Sequence, residues 1–145
     1  MLKLTNIADY AVVLMSRLAL GGNRLNAQDL SLLTGIPLPT VSKVLHLLSR
    51  SGVLVAHRGV AGGYTLARGA EAISIADIIE AVDGPIAVTH CVDTETSDCC
   101  IDHTCNVRPH WQLINGAVRG ALDDVKLSAL AAPPAGGCSA GHKEA

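Results

Sequence analysis

Residues 37–68 read PLPTVSKVLHLLSRSGVLVAHRGVAGGYTLAR. Pro39 suits the first turn of a helix, where its missing N–H costs nothing. Val41, Val44, Leu45 and Leu48 then recur at helical spacing as a buried stripe, and Gly52 marks the stop. Away from that stripe lie Thr40, Ser42, Lys43, His46 and Arg50, with Pro39 at the N-terminal end. On a lone helix such a face is an ordinary solvated one, although small polar and cationic groups also suit base edges and phosphates. The following residues tip the balance. Val53–His57 and Gly63–Ala67 read as two strands joined by a Gly-rich turn, with Arg58 at the tip beside Gly59. A cation at that tip fits a narrow minor groove, whose negative potential attracts it.

Working outward, Asn26 caps a short helix, AQDLSLLTG, with Leu30 and Leu33 facing the core and Gly35 as its stop. Two short helices joined by a tight Gly turn form a helix-turn-helix, and the hairpin after them makes it winged. An earlier helix begins at Thr5 or Asn6, carries Ile7, Ala11, Leu14 and Leu18, and ends at Gly21-Gly22. Downstream, ISIADIIEAV over residues 73–82 is capped by Ser74 and closed by Asp83-Gly84-Pro85. From Arg108 onward Trp111, Ile114, Val118, Leu122 and Val125 mark a helix of about 20 residues. Its apolar stripe needs a partner, and a second copy of the chain is an economical one. The expected fold class is mainly α with a small β-hairpin: a winged helix-turn-helix plus a long C-terminal dimerisation helix. The division is a DNA-binding domain over 1–83, a cysteine segment over 84–107, the dimerisation helix over 108–130, and a tail over 131–145. That tail is Pro/Gly/Ala-rich and is expected to be disordered.

The composition agrees. Of 145 residues 49% are hydrophobic and 17% charged, which excludes disorder for most of the chain. Aromatics at 2% speak against a base-stacking RNA-binding sheet. No run approaches the roughly 18 apolar residues of a transmembrane helix, so no membrane partner is expected. The N-terminus lacks a signal-peptide pattern, so the expected location is cytoplasmic and reducing. The net charge of −2 hides an asymmetry. Residues 1–70 carry seven Lys/Arg against two acids, whereas residues 71–130 carry three against ten. An anionic partner for the first half follows, and double-stranded DNA fits. No nucleophile–base pair, P-loop or dinucleotide fingerprint is present, so neither an enzyme nor a small-molecule substrate is expected. The Gly59–Gly63 stretch joins two strands and lacks the GK[ST] of a phosphate loop.

Cys91, Cys99, Cys100 and Cys105 fall within fifteen residues, with His90, Asp102, His103 and His110 nearby. The spacings fit neither zinc fingers nor ferredoxins. A loop that gathers thiolates selects zinc, copper(I) or an iron–sulfur cluster. Buried idle thiols are the plainer reading, but a polar, acidic segment between helices is a poor place for them. Cys138, in the tail, is expected to have no ligand role.

These features together resemble the iron–sulfur winged-helix repressors that include IscR, NsrR and RirA (the Rrf-two family), from Met1 to about Leu130. LTNIADYAVVLM is similar to that family's first helix and HRGVAGGYTLAR to its wing. ISIADIIEAVDGP followed by Cys…Cys-x5-Cys is similar to its cluster segment. Within the family, PLPTVSKVLHLLSRSGVL and CNVRPHWQLINGAVRGAL are similar to the branch that regulates the SUF iron–sulfur assembly operon. The resemblance implies a homodimer on a palindromic operator. Thr40, Ser42 and Lys43 would read the major groove and Arg58 the minor groove. It also implies a cluster on Cys91, Cys99 and Cys105, 2Fe–2S in preference to 4Fe–4S. IscR-like members place a His three residues after the last Cys, where this chain has Arg108, which cannot ligate. Asp9 matches the carboxylate that NsrR-type members supply from the other subunit; Cys100, His103 and His110 are rivals. The competing reading keeps DNA binding but senses redox or metal through a thiol switch or a zinc site.

Overall fold

The computed structural model describes residues 2–89, 91–92 and 104–131. Thr5 starts the first helix, α1 (Asn6–Gly21), its hydroxyl accepting the Ala8 N–H at 3.1 Å. A capping box between Asn26 and Asp29 starts α2 (Ala27–Thr34), satisfying two amides that the helix leaves unpaired. Helix α3 (Leu38–Arg50) follows, with Pro39 in its first turn and Val41, Val44, Leu45 and Leu48 buried. Its end is a Schellman motif. Gly52, at φ 83°, donates to the Ser49 carbonyl, and Val53 donates to that of Leu48. The chain is thereby turned directly into the hairpin.

Strands β1 (Leu54–His57) and β2 (Gly63–Leu66) pair antiparallel, Leu54 opposite Leu66 and His57 opposite Gly63. The hairpin does not stand alone. Leu25 and Tyr64 exchange two backbone hydrogen bonds, of 3.3 and 2.8 Å, so the segment before α2 lies along β2. At Gly63, φ is 149° and an added Cβ would lie 2.8 Å from the Leu25 carbonyl oxygen. Only glycine fits so close an approach.

A 3-10 turn (Ala70–Ala72) leads to α4 (Ile75–Asp83), started by a capping box between Ser74 and Asp77. Beyond the cysteine segment come α5 (Arg108–Asp124) and the short α6 (Leu127–Ala131). One buried core holds the elements together, with Leu14 and Met15 of α1, Leu30 of α2, Leu45 and Leu48 of α3, and Ile78 of α4. Leu127 of α6 is fully buried in that same core.

Three details differ from the sequence reading. Leu33 is 52% exposed: a two-turn helix meets the body along one line, and Leu30 with Ala27 fills it. The helix expected to run to about residue 130 breaks after Asp124. Two acids at its C-terminal end oppose the helix dipole, and extended Val125 gives its carbonyl to Ile75 N–H at 2.9 Å. Leu127 N–H then bonds the Ile73 carbonyl at 2.8 Å, so the break is stitched to the start of α4. Finally, Ile114 is 41% exposed, and Asn115 takes the inward place expected for it.

Candidate nucleic-acid interface and cysteine segment

The stripe that buries one side of α3 leaves the other outward. Pro39, Ser42, Lys43, His46 and Arg50 are exposed, and Thr40 is half-buried at the edge. Their spacing of three to four residues puts them on one face. At the wing, Arg58 and Gly59 are exposed at the turn. The turn is braced from behind: Gly62 N–H bonds the Gly59 carbonyl at 2.9 Å, and Arg24 Nη1 donates to the Ala61 carbonyl at 2.7 Å. His57 Nε2 lies 2.9 Å from Thr65 Oγ1 across the hairpin. In the sequence Arg24 carries no signal beyond a cation one residue before Leu25.

The cysteine segment lies between α4 and α5 in the chain, and Ile86 near its start packs against the core. Cys91 and Cys105 are free and half-buried. Cys91 Sγ lies 3.0 Å from Thr89 Oγ1. Cys99, Cys100, His103, His90, Asp102 and Cys138 lie outside the described residues. His110 is exposed in the first turn of α5. Asp9 is exposed in the first turn of α1. That end of α1 meets the end of α4, where Thr5 Oγ1 donates to Asp83 Oδ2 at 2.7 Å. Asp9 therefore belongs to the end of the body from which the chain departs toward Cys91. Among the described residues, no three His, Cys, Asp or Glu side chains converge as a metal site. The donor chemistry nonetheless suits a soft metal: two free, half-buried thiols flank the stretch of sequence that carries Cys99.

Between α4 and α5 lies a polar contact that the sequence reading missed. Arg119 Nε and Nη2 reach Glu80 at 2.9 and 3.0 Å. The carboxylate raises the guanidinium above its ordinary value, by the hydrogen bond first and by charge second. A cation raised on folding keeps its contribution below its unfolded value, so alkaline conditions short of denaturation leave this pair intact. One turn earlier, Asn115 Nδ2 donates to the Ile86 carbonyl and its Oδ1 accepts from Val88 N–H, both at 2.9 Å. The available signal was an amide standing within an apolar stripe, where helix propensity disfavours it.

A helix-turn-helix with a braced wing and an outward polar, cationic face defines the class of winged-helix regulators. Residues 4–133 match the model of Rrf2, the iron-dependent transcriptional regulators, and the chain belongs to that family. It is therefore a DNA-binding transcriptional regulator and not an enzyme. Rv1287 of Mycobacterium tuberculosis (strain ATCC 25618 / H37Rv), by name an HTH-type transcriptional regulator, is 32% identical over 127 residues. That match covers 86% of this chain and 78% of the relative. IscR of Serratia proteamaculans (strain 568) is 29% identical over 134 residues, covering 89% and 79%. Among solved structures, CymR, the global cysteine regulator of B. subtilis, superimposes with a TM-score of 0.70 at 26% identity, covering 90% of this chain and 97% of CymR. IscR of T. potens superimposes at 0.65 with 22% identity over 88% and 84%, a likeness of fold. Among the described residues no helix is long and apolar enough to cross a membrane.

Proposed function

We propose that this regulator senses an iron–sulfur cluster and controls genes of cluster assembly, those of the SUF system, by binding a palindromic operator as a homodimer in the cytoplasm. The observation that carries the reading is the placement of Cys91 and Cys105. Both are free thiols at the two ends of the one segment that joins the winged helix to α5. In an iron-dependent family, ligands at a joint between the DNA reader and a pairing helix are where occupancy would be felt. Cys91, Cys99 and Cys105 would hold a cluster, 2Fe–2S in preference to 4Fe–4S, with Asp9 of the second copy as fourth ligand. When bound, the cluster supplies a charge and a covalent link that order the segment. The protein's own part is to present deprotonated sulfurs, to carry α5 from the segment's end, and to set the spacing of two α3 helices.

Pairing through α5 has its own support. None of its side chains is buried in one chain. Leu113 is 74% exposed and Ile114 41%, and Ala117 and Ala121 continue their face. Beside it runs a groove of about 620 Å³ lined by Leu2, Leu4, Ile79, Ile86, Val118 and Leu122. An apolar surface of this kind in a soluble domain marks an interaction site.

The test is anaerobic purification, a visible spectrum, and iron, sulfide and zinc counted on one sample. Brown protein with matched iron and sulfide is expected, and operator affinity should differ between loaded and stripped forms. Replacing Cys91, Cys99 or Cys105 with Ala should abolish the visible absorbance, and replacing Cys138 should leave it. Equal affinity of the two forms for the operator would sink the sensing reading. A second reading is favoured by the likeness to CymR, a cysteine regulator whose Staphylococcus aureus relative has also been solved in an oxidized form. It makes the same cysteines a thiol switch or a zinc site. Protein that stays colourless after reconstitution, with operator binding that responds to peroxide, would establish it.

A further inference from the structure

No side chain of α5 is fully buried, and among its described residues Leu122 alone packs against the core, so apolar packing holds the helix only in part. Polar bonds add to the attachment. Arg119 holds Glu80 of α4 with two bonds, and Glu80 Oε1 also accepts the Ile86 N–H at 3.4 Å. Asn115 sits one turn before Arg119 and grips the same stretch of chain from the other side. Its amide donates to Ile86 and accepts from Val88, spanning Ala87 as a neighbouring strand would. Thr89 follows Val88, and its hydroxyl lies 3.0 Å from the Cys91 sulfur. A continuous run of bonds thus leads from α4, through α5 and residues 86–89, to Cys91.

The amide is specific to this task. A donor and an acceptor on one planar group, at the length of asparagine, match a backbone C=O and N–H two residues apart. Leucine offers neither, and aspartate offers two acceptors. An asparagine in the middle of a helix lowers helix propensity and gives up apolar contact along the stripe. It makes good those losses only through the backbone it holds.

We infer that Asn115 is the positioning residue for Cys91: it holds residues 86–88 so that the state of the Cys91 sulfur and the placement of α5 depend on each other. This deepens the sensing role proposed above, resting on Cys91 as the responsive ligand, but it is indifferent to whether the sulfur takes iron, zinc or oxidation. Coupling of this kind is reciprocal. Loosening the clamp must expose Cys91, and modifying Cys91 must loosen the clamp.

Both directions are measurable on the full-length, cluster-free, reduced protein. In Asn115→Asp the shape is kept, one acceptor remains for Val88, and the donor to Ile86 is replaced by a second oxygen. Iodoacetamide modification at each cysteine is followed by fragment-ion mass spectrometry. The rate at Cys91 should rise about tenfold, the effect in a local opening of losing the bond to the Ile86 carbonyl and setting a carboxylate oxygen against it, with Cys138 in the same sample unchanged. In a chain whose other four cysteines are Ser, alkylating Cys91 should speed hydrogen exchange at the Val88 amide by a similar factor and leave Ile78 of α4 unaffected. A Cys91 rate within about twofold of wild type, or Val88 exchange indifferent to Cys91 alkylation, would overturn the inference. Should Asn115→Asp fail to fold, the exchange experiment on the asparagine-bearing chain decides alone. Neither readout contains a cluster. A protein that never takes up iron therefore fails the sensing proposal and not this one.

Discussion

Arg58 and Lys43 carry the same charge but are held differently. Lys43 stands on a helix whose four buried side chains, Val41, Val44, Leu45 and Leu48, fix the face it points from. Arg58 stands on a turn whose orientation depends on Arg24, on the Gly59–Gly62 bond and on the close approach at Gly63. In the proposed complex the first contributes to the major groove and the second to the minor groove. Arg58→Ala should weaken operator binding about tenfold and lower the salt dependence by roughly one unit of slope. The loss should be largest on operators with A/T-rich flanks, whose narrow grooves attract arginine. Anisotropy titrations at several salt concentrations measure both effects, and an unchanged salt slope would remove Arg58 from the interface. The sequence marked Lys43 as outward because the buried stripe beside it was unambiguous, and Arg58 because it stands next to Gly59 at the tip of a hairpin. It could not mark Arg24, whose partner is a backbone carbonyl 37 residues away.

Helix ends were the most legible features at the level of elements. Thr5, Asn26 and Ser74 each cap the helix their position announces, since capping is a local exchange between a side chain and amides two or three residues on. Ser74 does more than that. It is nearly fully buried, and its backbone is bridged to Lys126. Ser74→Ala should cost about 1 kcal/mol, read as a lower urea midpoint with an unchanged slope. A change within error would mean that the Lys126 stitch alone holds the start of α4. Helical phase was harder to read. Along α5 apolar residues occur at 111, 113, 114, 117, 118, 121 and 122, and periodicity does not say which side of so broad a face meets the body. Asn115 decides it, through two backbone bonds to a segment that sequence alone does not place. The break at Val125 was hidden for a similar reason, because its cause is the hydrogen bond to Ile75.

For the whole molecule, the outward apolar side of α5 predicts a dimer. Light scattering should give twice the 15.0 kDa chain mass, and Ile114→Asp should return the single mass with its helical circular dichroism retained, because that side chain packs on nothing in its own chain's core. A dimer that survives the substitution would place the interface elsewhere. The cysteine segment was legible as a candidate ligand set by its residue types, while the fourth ligand of the proposed cluster was not, since Asp9 and His110 are brought near or kept apart only by tertiary and quaternary structure. Leu127 has a different kind of consequence. The core that positions α3 and the wing is completed by a side chain some 110 residues downstream of α1, the helix it packs beside. Contacts of such long range are slow to form and cannot form until the ribosome has released the chain that makes them. A nascent winged helix is therefore left unfinished until Leu127 has emerged. Chains ended after residue 131 should refold cooperatively in urea, and chains ended after residue 124 should not. A sharp transition in the shorter chain would show that the reader assembles before its last segment arrives. The molecule would thus become competent to bind its operator only after the cysteines have been translated.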